Sequence, residues 1–325
     1  MLNIEETLCR LAELSDIKRE TSDADKLYLR KLCDALNERY EPCSCPDYHH
    51  DLAMQLLIKL KRQQSQHKTV NSMNKIRHII AVRFLCFEGN LGDKVLSKEY
   101  IHMGLHLMSN YLVPTLENQT NKNFEVVILV HPKLNLGVYK KKIISLGGTL
   151  NLDVVRFNKF DEYIKDAAKT AENLIITRID YDDLVWDGAV ADAQKRIGIA
   201  PLYIYGYNRG YAWKEDDDKI MAFYQEYKKR GHMSIFQSAI IQTNDPNVVG
   251  IHPYKWNHTK PMESPHVQAI SKDKVKYEPN YTKDAFVWVR HENTSSGLIF
   301  PGYVRNKSYL DKDAVKQIFG VAILD

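Results

Sequence analysis

Four nearly uninterrupted apolar runs, at residues 79–87, 124–130, 152–157 and 174–180, follow one another in the middle of this chain, separated by stretches of helical period. A run such as Ile79-Ile80-Ala81-Val82-Arg83-Phe84-Leu85-Cys86-Phe87 has almost no polar face to give to water. Strands of that kind are buried on both sides, as in parallel sheets covered by helices on each face. Helical patterns over 99–116, 138–146 and 160–172 supply the covers, and the alternation predicts an α/β fold with a mostly parallel sheet flanked by helices. Beyond it the pattern predicts a helix over 185–197, strands at 203–207 and 210–213 joined by a turn at Asn208-Arg209, and strands at 219–224, 234–241 and 287–290.

The first sixty residues have a different texture. Leu8, Leu11 and Leu14, then Leu27, Leu29, Leu32 and Leu36, recur at near-helical spacing, and Pro46-Asp47 opens a third apolar stretch. Ser22 followed by Asp25 is a capping box with Asp in place of Glu. Residues 63–77 are polar and poor in branched apolar side chains, as linkers are. The expected organisation is a small all-α module at 1–62, a linker at 63–77 and an α/β domain at 78–325. Within the module, Cys43-Ser44-Cys45 and His49-His50 suggest zinc by composition, but ligands one residue apart do not readily close a tetrahedron, and a helix–helix turn explains them as well.

Composition excludes several classes. Forty-five basic against 41 acidic residues give a net charge of +4, too balanced for a surface that coats nucleic acid. No window approaches about 18 consecutive apolar residues, so no transmembrane span is expected. The amino terminus lacks a basic region followed by an apolar one, so no signal peptide is expected. Five cysteines, an odd number, with Cys9, Cys33 and Cys86 in apolar segments, fit reduced thiols and a cytoplasmic setting.

The chemistry concentrates where the fourth apolar run ends, at Thr177-Arg178-Ile179-Asp180-Tyr181-Asp182-Asp183. In open α/β sheets ligands bind beyond the carboxyl ends of the strands. Three carboxylates within four residues repel one another unless a hard cation shares the site, which suits Mn²⁺ or Mg²⁺ bridging a diphosphate. An acidic loop capping the next helix is the plainer alternative. Arg178 either contacts phosphate or ribose, or pairs with Asp182.

The acidic stretch resembles the TRxDxDD signature of a rhamnosyltransferase family within the GT-A glycosyltransferases. Three further segments match in order: Arg83-Phe84 resembles that family's RF; residues 114–124, Pro-Thr-Leu-Glu-Asn-Gln-Thr-Asn-Lys-Asn-Phe, resemble PSLxxQTxxxF; residues 287–295 resemble WxxxxHxxNxS. The resemblance covers about residues 78–300. It implies a GT-A-like fold, a nucleotide-sugar donor, a glycan or protein acceptor, Asp180 on the nucleotide, Asp182 and Asp183 on the cation, and Arg83 and Gln119 in the nucleotide pocket.

An inverting transferase also needs a carboxylate base within reach of the acceptor hydroxyl. Glu292 is the first candidate and Asp217, within the Asp216-Asp217-Asp218 run, the second. His291 or His258 could complete the metal or diphosphate site, and Trp213, Trp256 and Trp288 could stack on a sugar or pack internally. Residues 26–62 also resemble small helical leaders of proteins from phages of Bacteroides-type hosts. That similarity implies an adaptor docking the larger domain onto an assembly, a virion component in place of a cytoplasmic enzyme, and, at its furthest, a catalytically silent GT-A-fold structural or carbohydrate-binding part.

Overall fold

The structure, a computed structural model, describes residues 7, 11, 22–36, 52–53, 56, 76–86, 94–214, 220–224, 236–256, 261–290, 309–310 and 312–319. The chain divides into two compact units, 1–73 and 74–325.

In the first unit, helix α1 (Asp23–Leu36) begins at the expected capping box. Ser22 Oγ accepts from the Asp25 backbone N–H at 3.2 Å, and an Asp25 carboxylate oxygen accepts from the Ser22 N–H at 3.2 Å, so two orphan donors are satisfied reciprocally. Leu29, Leu32 and Cys33 from this helix bury themselves with Leu11, Leu52, Ala53 and Leu56.

The second unit is built on a ten-stranded sheet among the described residues. Its first half is parallel. Strand β1 (Ile76–Phe84) lies between β2 (Glu125–Val130) and β4 (Asn173–Asp180), and β3 (Leu152–Arg156) flanks β2, giving the order β3-β2-β1-β4. Alternate residues feed two cores. Ile80, Val82 and Phe84 face the β1–β2 connection, formed by α2 (Lys98–Leu107), a π-helical turn at Met108–Leu112 and α3 (Val113–Glu117), together with α4 (Leu136–Leu146) of the β2–β3 connection. Ile79 and Ala81 face α5 (Phe160–Ala168), which returns the chain from β3 to β4. Covers on both faces are why these strands carry no polar alternation. The α/β class read from the sequence is the class observed, with parallel pairing confined largely to this half.

The remaining strands are mostly antiparallel. They are β5 (Leu184–Val185), β6 (Leu202–Lys214), β7 (Ile220–Tyr224), β8 (Gln237–Gln242), β9 (Val275–Arg290) and β10 (Tyr309–Leu310). β8 runs antiparallel beside β4, and β6 pairs β8 and β7 along one edge and β9, in parallel, along the other. β5 joins β9, so the acidic stretch after β4 is tied at once into this half. Short helices α6 (Ala189–Gln194) and α7 (Pro265–Gln268) and the terminal α8 (Lys312–Phe319) complete the unit.

Three sequence expectations are corrected. The helix expected over 185–197 begins only at Ala189, because Leu184 and Val185 are drawn into pairing with Val287 and Phe286. The helix expected over 160–172 stops at Ala168, where the Thr170 hydroxyl and the Lys169 and Thr170 N–H groups bond to the last turn. The expected turn at Asn208-Arg209 is the interior of the single strand β6, whose register against β9 shifts on either side of Arg209. Asn208 is fully buried there. Gly210 permits the close approach, since a Cβ at that position would lie 2.5 Å from the Phe286 carbonyl oxygen.

Candidate active site

The chain crosses from β1 to β2 to β3 in one direction, then returns past β1 to form β4, with the return helix α5 on the opposite face from α2 and α4. The crevice between the carboxyl ends of β1 and β4 is therefore the topological switch point, where open α/β sheets bind their ligands. Arg83 and Asp180 are register partners at that point. Their side chains point to the α5 face and form an ion pair. The neighbouring carboxylate raises the Arg83 pKa beyond its usual range, against the opposing effect of burial. Both side chains keep part of their surface open, 33% for Arg83 and 23% for Asp180, so a ligand can reach the pair.

Arg178 is two residues before Asp180 on β4 and shares its face. Its Nη2 lies 3.9 Å from the same Asp180 Oδ2, so the ion pair is made with Asp180, and two guanidiniums share that carboxylate. Tyr254 packs beneath: the Arg178 guanidinium sits 5.5 Å from its ring centroid, and its hydroxyl donates to the Ala81 carbonyl at 2.9 Å.

Tyr181 points to the other face, where its ring meets Phe84 edge-on at 5.4 Å. Burial, and then the nearby Asp182 charge, push its hydroxyl pKa up. With Asp180 and Tyr181 anchored on opposite faces, Asp182 and Asp183 form the turn into β5. Asp182 is half-buried, whereas Asp183 is buried, and its N–H donates to the Asp180 carbonyl at 3.4 Å. Backbone strain accompanies the site on the β1 side: Leu85, directly after the strand, has φ of 48°. A left-handed conformation at a bulky residue costs about 1–3 kcal/mol and persists where the surroundings impose it.

The motif at residues 114–124 serves as a brace for this turn. Thr115 Oγ1 donates to the Val185 carbonyl at 2.5 Å and accepts from the Val185 N–H at 3.1 Å. The Gln119 amide donates to the carbonyls of Thr115 at 3.2 Å and Trp186 at 2.8 Å, and accepts from the Val190 N–H at 3.1 Å. Thr120 donates to the Asp187 carbonyl through its N–H at 2.7 Å. Gln119, expected in the nucleotide pocket, is thus fully buried with its amide engaged by backbone groups.

Among the described residues no group of three or more His, Cys, Asp or Glu side chains gathers as a metal site. A cation at the turn would draw on Asp182 and Asp183 and on oxygens of its ligand, a donor set that suits Mg²⁺ or Mn²⁺, which keep much of their shell for phosphate and water. Glu292, Asp217, His291, His258 and the Cys43/Cys45/His49/His50 cluster lie outside the described residues. Trp213 and Trp256 are core residues, the indole of Trp256 donating to Gln237 Oε1 at 3.0 Å, and of Trp288 only the backbone is described. Cys33 and Cys86 are free and buried, and burial pushes the Cys86 thiol pKa far up. No helix among the described residues is long and apolar enough to cross a membrane.

Tyr254 carried no signal in the sequence, since it lies between two weakly patterned strands. The ring pairing with Arg178 exists only because residues 248–256 fold back over the sheet.

No protein-family profile and no curated protein matches the chain. Solved structures similar to it include Staphylococcus aureus TarS 1-349 in complex with UDP-GlcNAc, at 12% identity over 70% of this chain and 62% of that one, with a TM-score of 0.38. HddC from Yersinia pseudotuberculosis is similar at 15% identity over 65% of this chain and 92% of that one, with a TM-score of 0.35. The glycosyltransferase GlyE of Streptococcus pneumoniae is similar at 8% identity over 63% and 45%, with a TM-score of 0.33. The match spans 37% of the longer TarS chain. On its own strand order and helix placement, the larger unit is an α/β domain whose crevice between β1 and β4 carries Arg83, Arg178 and Asp180.

Proposed function

We propose that the chain is a metal-assisted glycosyltransferase, binding a nucleoside-diphosphate sugar in the crevice between β1 and β4 and passing the sugar to a hydroxyl of a glycan or protein acceptor. The observation that carries this reading is the in-register pair Arg83–Asp180 at the switch point, continued directly by the Asp182-Asp183 turn. Arg83, Arg178 and Asp180 would hold the nucleotide, and Asp182 and Asp183 the cation. A bound Mg²⁺ or Mn²⁺ would supply neutralisation of the diphosphate. The acceptor hydroxyl loses its proton to a carboxylate, with Glu292 first and Asp217 second as the base, and its oxygen attacks the anomeric carbon as the bond to the nucleoside diphosphate breaks. Rhamnose as the sugar rests on the TRxDxDD resemblance alone. The separate amino-terminal unit, with its own apolar core, supports a docking role for residues 1–62.

Calorimetric titration of the full chain with UDP, GDP and dTDP, with and without MnCl₂, tests the reading. At least one nucleotide should bind, more tightly with manganese, and Asp182→Asn should remove that manganese dependence. A folded sample that binds none of the three rules it out.

A further inference from the structure

Tyr254 has a geometry that a simple packing residue does not need. Its ring lies under the Arg178 guanidinium at 5.5 Å, while its hydroxyl reaches the Ala81 carbonyl at 2.9 Å, and Ala81 is the register partner of Arg178 on the adjacent strand. One side chain thus grips β1 by hydrogen bond and β4 by cation–π contact, one step before the Arg83–Asp180 pair. It is itself held from behind. Phe157 and Phe160 meet its ring edge-on at 5.8 and 6.0 Å, and His252 lies 6.2 Å away. His252 is fixed in turn by Asp161, at 2.8 Å, whose other oxygen accepts from Lys255 at 2.9 Å. The support runs from the first turn of α5 to the crevice.

Beside its own ion pair with Asp180, the contact described for the Arg178 guanidinium on this face is that ring. A guanidinium on a long side chain has several rotamers, and the one adopted here sets its Nη2 at 3.9 Å from an oxygen that Arg83 already contacts. Two guanidiniums on one carboxylate give these three side chains a net positive charge, which suits the diphosphate of a nucleotide once a cation offsets Asp182 and Asp183. Held on the aromatic face, Arg178 is pre-organised, and the ordering cost is met on folding and not on binding.

We infer that Tyr254 is a positioning residue of the nucleotide site, which acts through Arg178 to preset the second guanidinium for a nucleoside diphosphate. The inference rests on the donor-site reading of the crevice and names the residue that reading lacks.

The test is a double-mutant cycle read by calorimetry on the full chain, using whichever of UDP, GDP or dTDP binds the wild type. Tyr254→Leu should weaken binding about 10-fold, the scale of a desolvated cation–π contact. Arg178→Ala should weaken it by roughly 10- to 100-fold, as for a charge-assisted contact, and the double variant no further than Arg178→Ala alone. Tyr254→Phe, which keeps the ring and drops only the bond to Ala81, should recover most of what Tyr254→Leu loses. In the ligand-free protein the Arg178 side-chain NMR signals should carry a ring-current shift that survives Tyr254→Phe and vanishes in Tyr254→Leu. Losses that add fully, or a Tyr254→Leu protein that binds like the wild type, overturn the inference and leave the donor site standing. A wild type that binds no nucleotide overturns both.

Discussion

His78 links single-residue geometry to solution conditions. It is buried in β1, with Nε2 2.8 Å from Thr177 Oγ1 and Nδ1 3.3 Å from the Gln194 amide nitrogen. An amide nitrogen can only donate, so Nδ1 accepts and Nε2 carries the proton. Thr177 then bonds to Ser238 at 2.7 Å, completing a buried polar chain across three strands. Burial pushes the His78 pKa down from 6.5 to about 3. His252 falls to about 4, burial outweighing its bond to Asp161. Both folded values lie below the unfolded value, so the unfolded chain binds more protons between about pH 6.5 and 4, and stability is lost as pH falls through that window. Each imidazole contributes a slope of up to about 1.4 kcal/mol per pH unit. Denaturant unfolding at pH 7, 6 and 5 should show progressive loss, and His78→Asn, though less stable at pH 7, should show a shallower dependence. An unchanged slope in that variant would refute the assignment.

Between elements, the central relation is the brace from α3 to the acidic turn. The sequence marks residues 114–124 as a motif, and the resemblance puts Gln119 at the nucleotide. The hydrogen bonds that define its place join residues 67 and 71 positions apart, and no local pattern encodes them. Gln119→Leu leaves two carbonyls and one N–H without their amide partner, and each such loss costs about 1–3 kcal/mol when buried. Urea unfolding should register a destabilisation on that order, and nucleotide affinity should fall with it, since Trp186 and Val190 follow directly on the turn. Full stability in this variant would mean the brace is idle. Thr115 makes the same connection through its hydroxyl, so Thr115→Val provides a smaller change of the same sign.

At the scale of the whole molecule, two compact units with separate apolar cores should behave as separate cooperative systems. Calorimetry of the full chain is expected to show two transitions, with a nucleoside diphosphate raising only the one that belongs to residues 74–325. A single transition raised as a whole by ligand would mean that the units fold as one. Within the larger unit, the parallel half supplies the switch point and the antiparallel half supplies β5, β9 and the segment bearing Tyr254. The candidate site needs both: Arg83, Asp180 and the Thr115/Gln119 brace come from the first, and the β9 pairing of β5 and the Tyr254 ring beside Arg178 come from the second.

The sequence by itself determined the class of fold, because strands buried on both faces must be apolar throughout and their covering helices must repeat at helical period. It also determined the acidic turn, whose carboxylates are adjacent in the chain, and the Ser22–Asp25 cap, whose partners are three residues apart. Only the tertiary structure decided that Val185 is strand and not helix, that Asn208 lies inside β6, that Gln119 is a brace, and that Tyr254 supports Arg178. Each of those depends on a partner distant in sequence, and the free energy that selects it arises only when the sheet brings the two together.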